Sequence, residues 1–187
     1  MGIGTTTPGA KLEVNGNIKI DGGSPATGRV LTSVDGTGLA DWQDIPSTPH
    51  VAFRAYLFSD AAIPSFTDTK INFSANSGFN DGNAFNNASG NFVAPANGLY
   101  YFHASFTISQ PAAVNPTIIR IYSNGSLIVQ SSNAVFQATA SYYSSIEVSC
   151  ITKLNTGDVV NVSALTSGTA KVNNYSGSTF FEGYRVY

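Results

Sequence analysis

Alternation of apolar and polar side chains runs from Val51 to the last residue and restricts the fold more than any other feature of this chain. In residues 98–109, one side of an extended chain carries Tyr100, Phe102, Ala104, Phe106 and Ile108, and the other carries Tyr101, His103, Ser105 and Thr107. Segments of this kind recur about every eight to twelve residues, with turn-forming residues between them. This spacing predicts an all-β protein built as a sandwich or jelly roll.

One β-hairpin is predicted by its turn residues. Asn124-Gly125 lies between the strand patterns at 117–123 and 126–130. Both residue types tolerate positive φ, which a two-residue primed turn requires at its two central positions. We therefore predict a tight turn at Asn124-Gly125.

The single cysteine, Cys150, lies within a strand pattern that covers residues 141–154. It shares the apolar side of that strand with Tyr142, Ile146, Val148 and Leu154. A thiol among apolar side chains behaves as a small hydrophobic group. The pattern predicts a buried, inert thiol, and one cysteine cannot form an intrachain disulfide.

The charge content excludes several functional classes. Charged residues make up 11% of the chain and the formal net charge is −2, which leaves no basic stripe for nucleic acid. No apolar run is long enough for a membrane-spanning helix. The sequence predicts neither a nucleic-acid partner nor membrane insertion, and its low charge with abundant Ser, Thr and Asn is typical of proteins that work outside the cytoplasm.

Residues 1–46 contain too few large apolar side chains for a core of their own. Besides Met1 these are Ile3, Leu12, Val14, Ile18, Ile20, Val30, Leu31, Val34, Leu39, Trp42 and Ile45. Burying each contributes roughly 1.5–3 kcal/mol, whereas ordering each residue costs roughly 1–2 kcal/mol. We expect an extended β stalk segment that buries its apolar side chains against copies of itself. A proline-containing linker is predicted at 47–50, followed by a head at 51–187.

The closing strand pattern, residues 178–187, carries bulky side chains on both faces. Phe180, Tyr184 and Val186 occupy one face, and Phe181, Arg185 and Tyr187 the other. A strand that is apolar on both faces requires cover on both, and in a two-layer sandwich the second cover must come from another chain. We predict an oligomer interface that contains Tyr101, His103, Phe181 and Tyr187.

The head resembles the C1q/TNF-like family. The segment at 80–102 has the family's signature at matching spacing, in Asn80, Phe85, Phe92, Gly98, Tyr100 and Phe102. Residues 51–55 are similar to the first strand, residues 157–162 to the penultimate strand, and Gly183 holds the glycine position of the closing strand. The aromatic that opens the signature comes one residue early, at Phe73, which implies an insertion in the loop at 74–79.

The resemblance implies a ten-strand jelly roll that assembles as a homotrimer, with binding or structural roles rather than enzymatic ones. The opening segment is similar to stretches of bacteriophage tail fibres and of large secreted bacterial surface proteins. It carries this likeness in residues 2–16 and 28–43.

Candidate sites are few. No catalytic or phosphate-binding motif is present, and the histidines, His50 and His103, stand in no such pattern. For ligands we predict Asn173, Asn174 and Tyr175, because amides beside an aromatic ring suit carbohydrate. An oxygen-rich turn at 80–83, which contains Asp81, could supply oxygen ligands to calcium. Asn-Asp-Gly is, however, foremost a turn-forming sequence. No other cofactor is predicted.

Two functions compete at this level. The leading hypothesis is a trimeric fibre head or adhesin that binds a cell-surface glycan or protein receptor, at the tip of a phage tail fibre or similar appendage. The alternative is a secreted bacterial structural protein that polymerises head to tail into an extracellular filament, by adding the strand at 11–20 to an open sheet edge.

Overall fold

The computed structural model describes residues 1–45, 50–73, 78–110, 116–133, 142–175 and 177–187. The chain divides into two compact units, Met1–Ser47 and Thr48–Tyr187. Most of the predicted linker at 47–50 and of the predicted insertion at 74–79 lies outside the described residues. In the described part of the chain, no helix is long and apolar enough to cross a membrane.

The first unit consists of two small sheets without a buried core. Its strands are β1 (Gly2–Ile3), β2 (Glu13–Val14), β3 (Arg29–Ser33) and β4 (Ala40–Asp44), with β1 parallel to β2 and β3 antiparallel to β4. Asp35 shapes the β3–β4 turn by accepting hydrogen bonds from Thr37 and Leu39. None of residues 1–45 is buried, and Ile18 and Leu39 are 66% and 62% exposed.

The second unit is a sandwich of two antiparallel sheets. Its thirteen strands within the described residues are β5 (Ala52–Tyr56), β6 (Ala61–Ile63), β7 (Thr69–Lys70), β8 (Asn80–Asp81), β9 (Phe85–Asn86), β10 (Asn91–Val93), β11 (Gly98–Gln110), β12 (Thr117–Ser123), β13 (Ser126–Asn133), β14 (Tyr142–Leu154), β15 (Val159–Thr166), β16 (Ala170–Val172) and β17 (Phe180–Arg185). Ten strands were expected. The additional segments include two-residue pieces, and positive φ at Gly82 and Asn83 separates β8 from β9.

Strand pairing assigns each segment to a sheet. In the first sheet β11 pairs with β14 over its whole length, and it also pairs with β17 over residues 100–105 and with β16 over residues 108–109. Beyond these strands, β6 lies next to β16, and β5 and then β8 follow β17. The second sheet has the order β13-β12-β15-β10-β9, with β7 beside β15. The predicted all-β jelly-roll sandwich is confirmed. The hairpin at Asn124-Gly125 is confirmed as well, with φ of 50° and 78° at these residues and Ser123 paired with Ser126.

An aromatic cluster fills the space between the sheets. Phe53 stacks on Phe85 with ring centroids 4.7 Å apart and meets Phe181 edge-on at 5.0 Å. The signature aromatics Phe85, Phe92, Tyr100 and Phe102 are all buried in this cluster. The Tyr100 hydroxyl donates to the Ala96 carbonyl, so the only polar group of that side chain is paired.

The interface prediction for Phe181 is wrong. This side chain is fully buried inside the sandwich, within 6.0 Å of the Phe102 ring centroid. Phe181 and Gly183 point inward, so the outward residues of β17 are Phe180, Glu182 and Tyr184. Alternation alone could not choose between two bulky faces, but Gly183 could have settled the matter. A Cβ added there would lie 2.6 Å from a Phe102 ring atom, which shows that this side of β17 faces the core.

A carboxylate fastens the segment before β7 to the second sheet. Asp68 accepts hydrogen bonds from Ser163 of β15 and from Tyr122 and Arg120 of β12. Partial burial acts to raise the pKa of Asp68, but these three hydrogen bonds outweigh it and hold the pKa below its ordinary value.

We expect Asp68→Asn to destabilise the protein by about 1–3 kcal/mol at neutral pH, since charge-assisted hydrogen bonds are lost. Because the folded-state pKa is depressed, the carboxylate stabilises the fold above its unfolded pKa of about 3.9. That contribution disappears as the pH falls through the folded pKa. Urea titrations should therefore show a gap between the two proteins that closes on acidification; a gap that does not vary with pH contradicts the prediction.

The thiol of Cys150 faces the core, as predicted, and packs against it while half-buried. Burial raises the pKa of Cys150 to about 11.

At pH 8 a pKa of about 11 leaves about one thiol in a thousand ionised, against about one in ten for an ordinary thiol of pKa 9. Ellman's reagent should react about a hundredfold more slowly with the native protein than with the protein in guanidinium. Equal rates would show that the thiol is accessible and ordinary.

Candidate functional site

The outward side of the first sheet gathers the predicted interface residues that remain. We call this surface the outer sheet face and define it by three rows of outward side chains on β14, β11, β17 and β5. Antiparallel register aligns Ile151, Tyr101, Tyr184 and Ala52 in one row across these strands. The next rows are Ser149, His103, Glu182 and Arg54, followed by Glu147, Ser105, Phe180 and Tyr56.

The first of these rows is apolar and accessible. The rings of Tyr101 and Tyr184 lie 5.2 Å apart, and Tyr184 is 48% exposed. Ile151, directly beside Tyr101 on β14, is 64% exposed. Four neighbouring strands therefore present aromatic and aliphatic side chains that the chain itself leaves uncovered.

Polar and ionisable side chains in the middle of the face contact one another. Arg54 donates to Glu182, and its guanidinium also lies 4.9 Å from the centre of the Phe180 ring. His103 places Nδ1 3.1 Å from Glu182 Oε1 and Nε2 3.7 Å from Glu147 Oε2. The hydrogen bond with Glu182 is the main reason that the pKa of Arg54 is raised above its ordinary value. Arg54, Glu182, His103 and Glu147 thus each have a partner within the same chain.

A pocket of about 300 Å³ lies at one end of the outer sheet face. It is lined by the start of β5 and by the chain end, with His50, Val51, Ala52, Tyr184, Arg185, Val186 and Tyr187. Tyr187, which was predicted at an interface, is 70% exposed here. His50 lines this pocket, whereas His103 contacts Glu182 and Glu147 in the middle of the face. The two histidines therefore belong to different sites.

Sequence reasoning found Tyr101 and His103 on this surface, and Tyr187 in the pocket at its end, but missed Arg54, Ile151, Phe180, Glu182 and Tyr184. The missing signal is strand register, because His103 and Glu182 are 79 residues apart in the chain. An exposed apolar row beside a stripe of paired charges is typical of a protein–protein contact surface.

The predicted ligand residues lie at the other end of the sandwich, which we call the apex. It is the end where β11 finishes and β14 begins, opposite residues 98 and 187. Asn173 is only 7% exposed, and its amide nitrogen lies 3.5 Å from Asp60. The Asn174 backbone donates to Asp60 and its side chain to the Phe58 carbonyl. The two asparagines therefore join loops, and within the predicted trio Asn174 and Tyr175 are exposed whereas Asn173 is buried.

The calcium prediction concerns the turn at 80–83, where Asp81 ends β8. Asn80 uses both ends of its amide to hold Phe85, and Asp60 and Asp68 have the partners described above. Among the described residues, no group of three or more His, Cys, Asp or Glu side chains is placed to hold a metal ion. Calcium binding at this turn stays an untested prediction.

Comparison with known proteins identifies the family of the head. The sequence matches a family model described as C1q domain over residues 52–186. The globular domain of zebrafish complement 1qA protein is 17% identical, and the alignment covers 74% of this chain and 98% of that chain with a TM-score of 0.49. The Eiger TNF structure from S. frugiperda is 8% identical, with 75% and 94% coverage and a TM-score of 0.58, and so shares the fold. Curated protein sequences give no match.

The family match covers well over half of the chain, and it agrees with the resemblance predicted from the signature residues. It does not extend to the first unit, whose likeness to fibre proteins stays a prediction. By its residues 52–186, the chain belongs to the C1q domain family.

Proposed function

We propose that this protein is a non-enzymatic, homotrimeric binding head on a stalk, which works outside the cell at the tip of a phage tail fibre or a similar appendage. C1q and TNF domains generally form homotrimers, bind receptors and are not catalytic. The outer sheet face is the observation that carries the proposal, because none of the described residues of its own chain covers its apolar row. Two further copies of the head would supply that cover.

The paired charges on the outer sheet face favour burial in such a trimer. Removing an unpaired charge from water costs several kcal/mol of solvation free energy, whereas a hydrogen bond to an opposite charge recovers much of that cost. Glu182 already contacts both Arg54 and His103 within one chain. The neighbouring copies need to supply only apolar surface over most of the face.

The first unit gives separate support for self-association. Ten of its large apolar side chains, which include Ile3, Leu12, Ile18, Leu39 and Ile45, are each at least 39% exposed. A chain of this size with no buried residue falls short of the apolar burial that an independent fold requires. Three parallel copies of residues 1–47 would bury these side chains against each other and form a stalk.

Light scattering on the full chain tests the proposal. We expect a mass of about three times 19.6 kDa at micromolar concentration. A mass of one chain under the same conditions would overturn the trimer and with it the fibre head. Negative-stain electron microscopy of the same sample should show uniform short particles.

The alternative, polymerisation by strand addition, has one observation in its favour. Residues 17–20 lie outside every strand, and Ile18 and Ile20 are exposed, so this stretch is available to pair with another chain. Long filaments in the micrographs, which grow with protein concentration, would favour this alternative over the closed trimer.

A further inference from the structure

Two exposed tyrosines from distant parts of the chain meet at the apex. Tyr143 lies near the start of β14 and is 63% exposed, and Tyr175 lies in the loop between β16 and β17 and is 48% exposed. Their ring centroids are 5.9 Å apart, with 51° between the ring planes. The pair forms an open, angled aromatic platform that no other ring in the described residues covers.

The loop that carries Tyr175 is held in place by several hydrogen bonds. The Tyr175 carbonyl accepts from the backbone of Ser178 and of Thr179, and the preceding Asn174 is tied to Asp60 and to Phe58. Tyr143 is fixed by its strand, because it pairs with Ser109 of β11. The backbone positions that carry both rings are therefore fixed before any ligand arrives, which lowers the entropic cost of binding.

Polar groups surround the platform in balanced charge. Lys171 pairs with Ser109, so its outward side chain stands about two strand spacings, roughly 9–10 Å, from Tyr143. Asp60 lies beside Asn174, just before β6. The Tyr143 phenol, chiefly through a hydrogen bond, raises the pKa of Tyr175 above its ordinary value, and the Asp60 carboxylate adds a smaller effect in the same direction.

We propose that the Tyr143–Tyr175 platform binds the apolar face of a neutral pyranose ring in a cell-surface glycan. The C–H groups on one face of a pyranose carry partial positive charge and suit the negative face of an aromatic ring. Its hydroxyl groups match the phenol, amide, carboxylate and ammonium groups at the rim. One cation and one anion favour a neutral sugar over a sulfated or sialylated one, and supply no cationic excess for a lipid surface.

This inference rests on the proposed function and specifies its ligand class and site. It also moves the predicted site, since Asn173 and Asn174 support the loop while Tyr143 contributes the second ring. The sequence did not indicate Tyr143, because it lies 32 positions before Tyr175. The two residues are brought together by the pairing of β14 with β11 and by the contact of the 173–175 loop with β11.

The test uses the full chain and two probes. A glycan array selects binders, and saturation-transfer NMR with methyl pyranosides of glucose, galactose, mannose and N-acetylglucosamine shows which sugar protons touch the protein. We expect saturation on the C–H protons of one ring face. Tyr143→Ala and Tyr175→Ala should each weaken binding about tenfold or more, whereas Tyr175→Phe should retain most of it.

Phe79→Ala is the matched control, because this ring is 50% exposed and lies beside β5, away from the apex. Light scattering is measured on every variant. If neither probe detects sugar binding by a wild-type trimer, the glycan site is wrong while the trimeric head stands. Sugar binding that both alanine variants retain overturns the site alone. Loss of the trimer in Tyr143→Ala would show that Tyr143 belongs to the subunit interface and would also overturn the inference.

Discussion

Substitution of Gly183 by alanine is expected to destabilise the head by about 3 kcal/mol or more, at the upper end of the cost of overpacking a core. An added Cβ would lie 2.6 Å from Cδ1 of Phe102 and 2.7 Å from the carbonyl oxygen of Tyr101. The ring could move, but the carbonyl belongs to β11, which is paired along its length with β14. The strain must therefore shift β17 away from β11.

Thermal unfolding followed by circular dichroism measures this effect. A loss of 3 kcal/mol corresponds to a melting temperature lower by about 6–12 °C in a protein of this size, compared at one protein concentration. Gly36→Ala is the control of the same chemistry, because a Cβ at Gly36 meets no atom within 4 Å. A melting temperature unchanged in Gly183→Ala would mean that β17 does not pack against β11 as described.

A second background separates the two contacts at Gly183. Phe102→Leu removes the ring atoms at 2.6 Å and 3.0 Å but leaves the Tyr101 carbonyl in place. Gly183→Ala should consequently cost less in the Phe102→Leu background than in the wild type, but it should not become neutral. A cost equal in both backgrounds would assign the strain to the carbonyl alone.

The local parts of the fold could be predicted from the sequence because their causes are local. Asn124-Gly125 predicts its own turn, and the period-two pattern of β11 predicts which of its side chains are buried. The signature aromatics were placed correctly for a further reason: Phe92, Tyr100 and Phe102 lie on strands whose two faces differ clearly in polarity. These inferences require no knowledge of which strand lies beside which.

The parts that depend on pairing between distant strands could not be predicted. The two faces of β17 are similarly bulky and alternation assigned Phe181 to the outside, whereas its packing against Phe53 and Phe102 and the close approach at Gly183 place it in the core. The Glu182–His103 contact and the Tyr143–Tyr175 pair likewise arise from register. Candidate sites on a β sandwich are built across strands, so a sequence reveals single members of a site more readily than the whole.

Tyr184→Asp is expected to weaken the proposed trimer by at least a hundredfold in dissociation constant, which corresponds to about 2.7 kcal/mol. Tyr184 lies in the apolar row of the outer sheet face, beside Tyr101 and away from the core. A carboxylate at this position would be buried without a partner when copies associate, at a cost of several kcal/mol. Because the side chain already points outward, the fold of the single chain should persist.

Sedimentation equilibrium over a range of protein concentrations gives the dissociation constant, and circular dichroism verifies the fold. Leu127→Asp is the matched control, since Leu127 is 49% exposed against 48% for Tyr184 but lies on β13 of the opposite sheet, paired with Tyr122. We expect this control to remain a trimer. If Leu127→Asp dissociates the protein and Tyr184→Asp does not, the subunits meet through the second sheet, and the outer sheet face must be free to bind something other than a copy of itself.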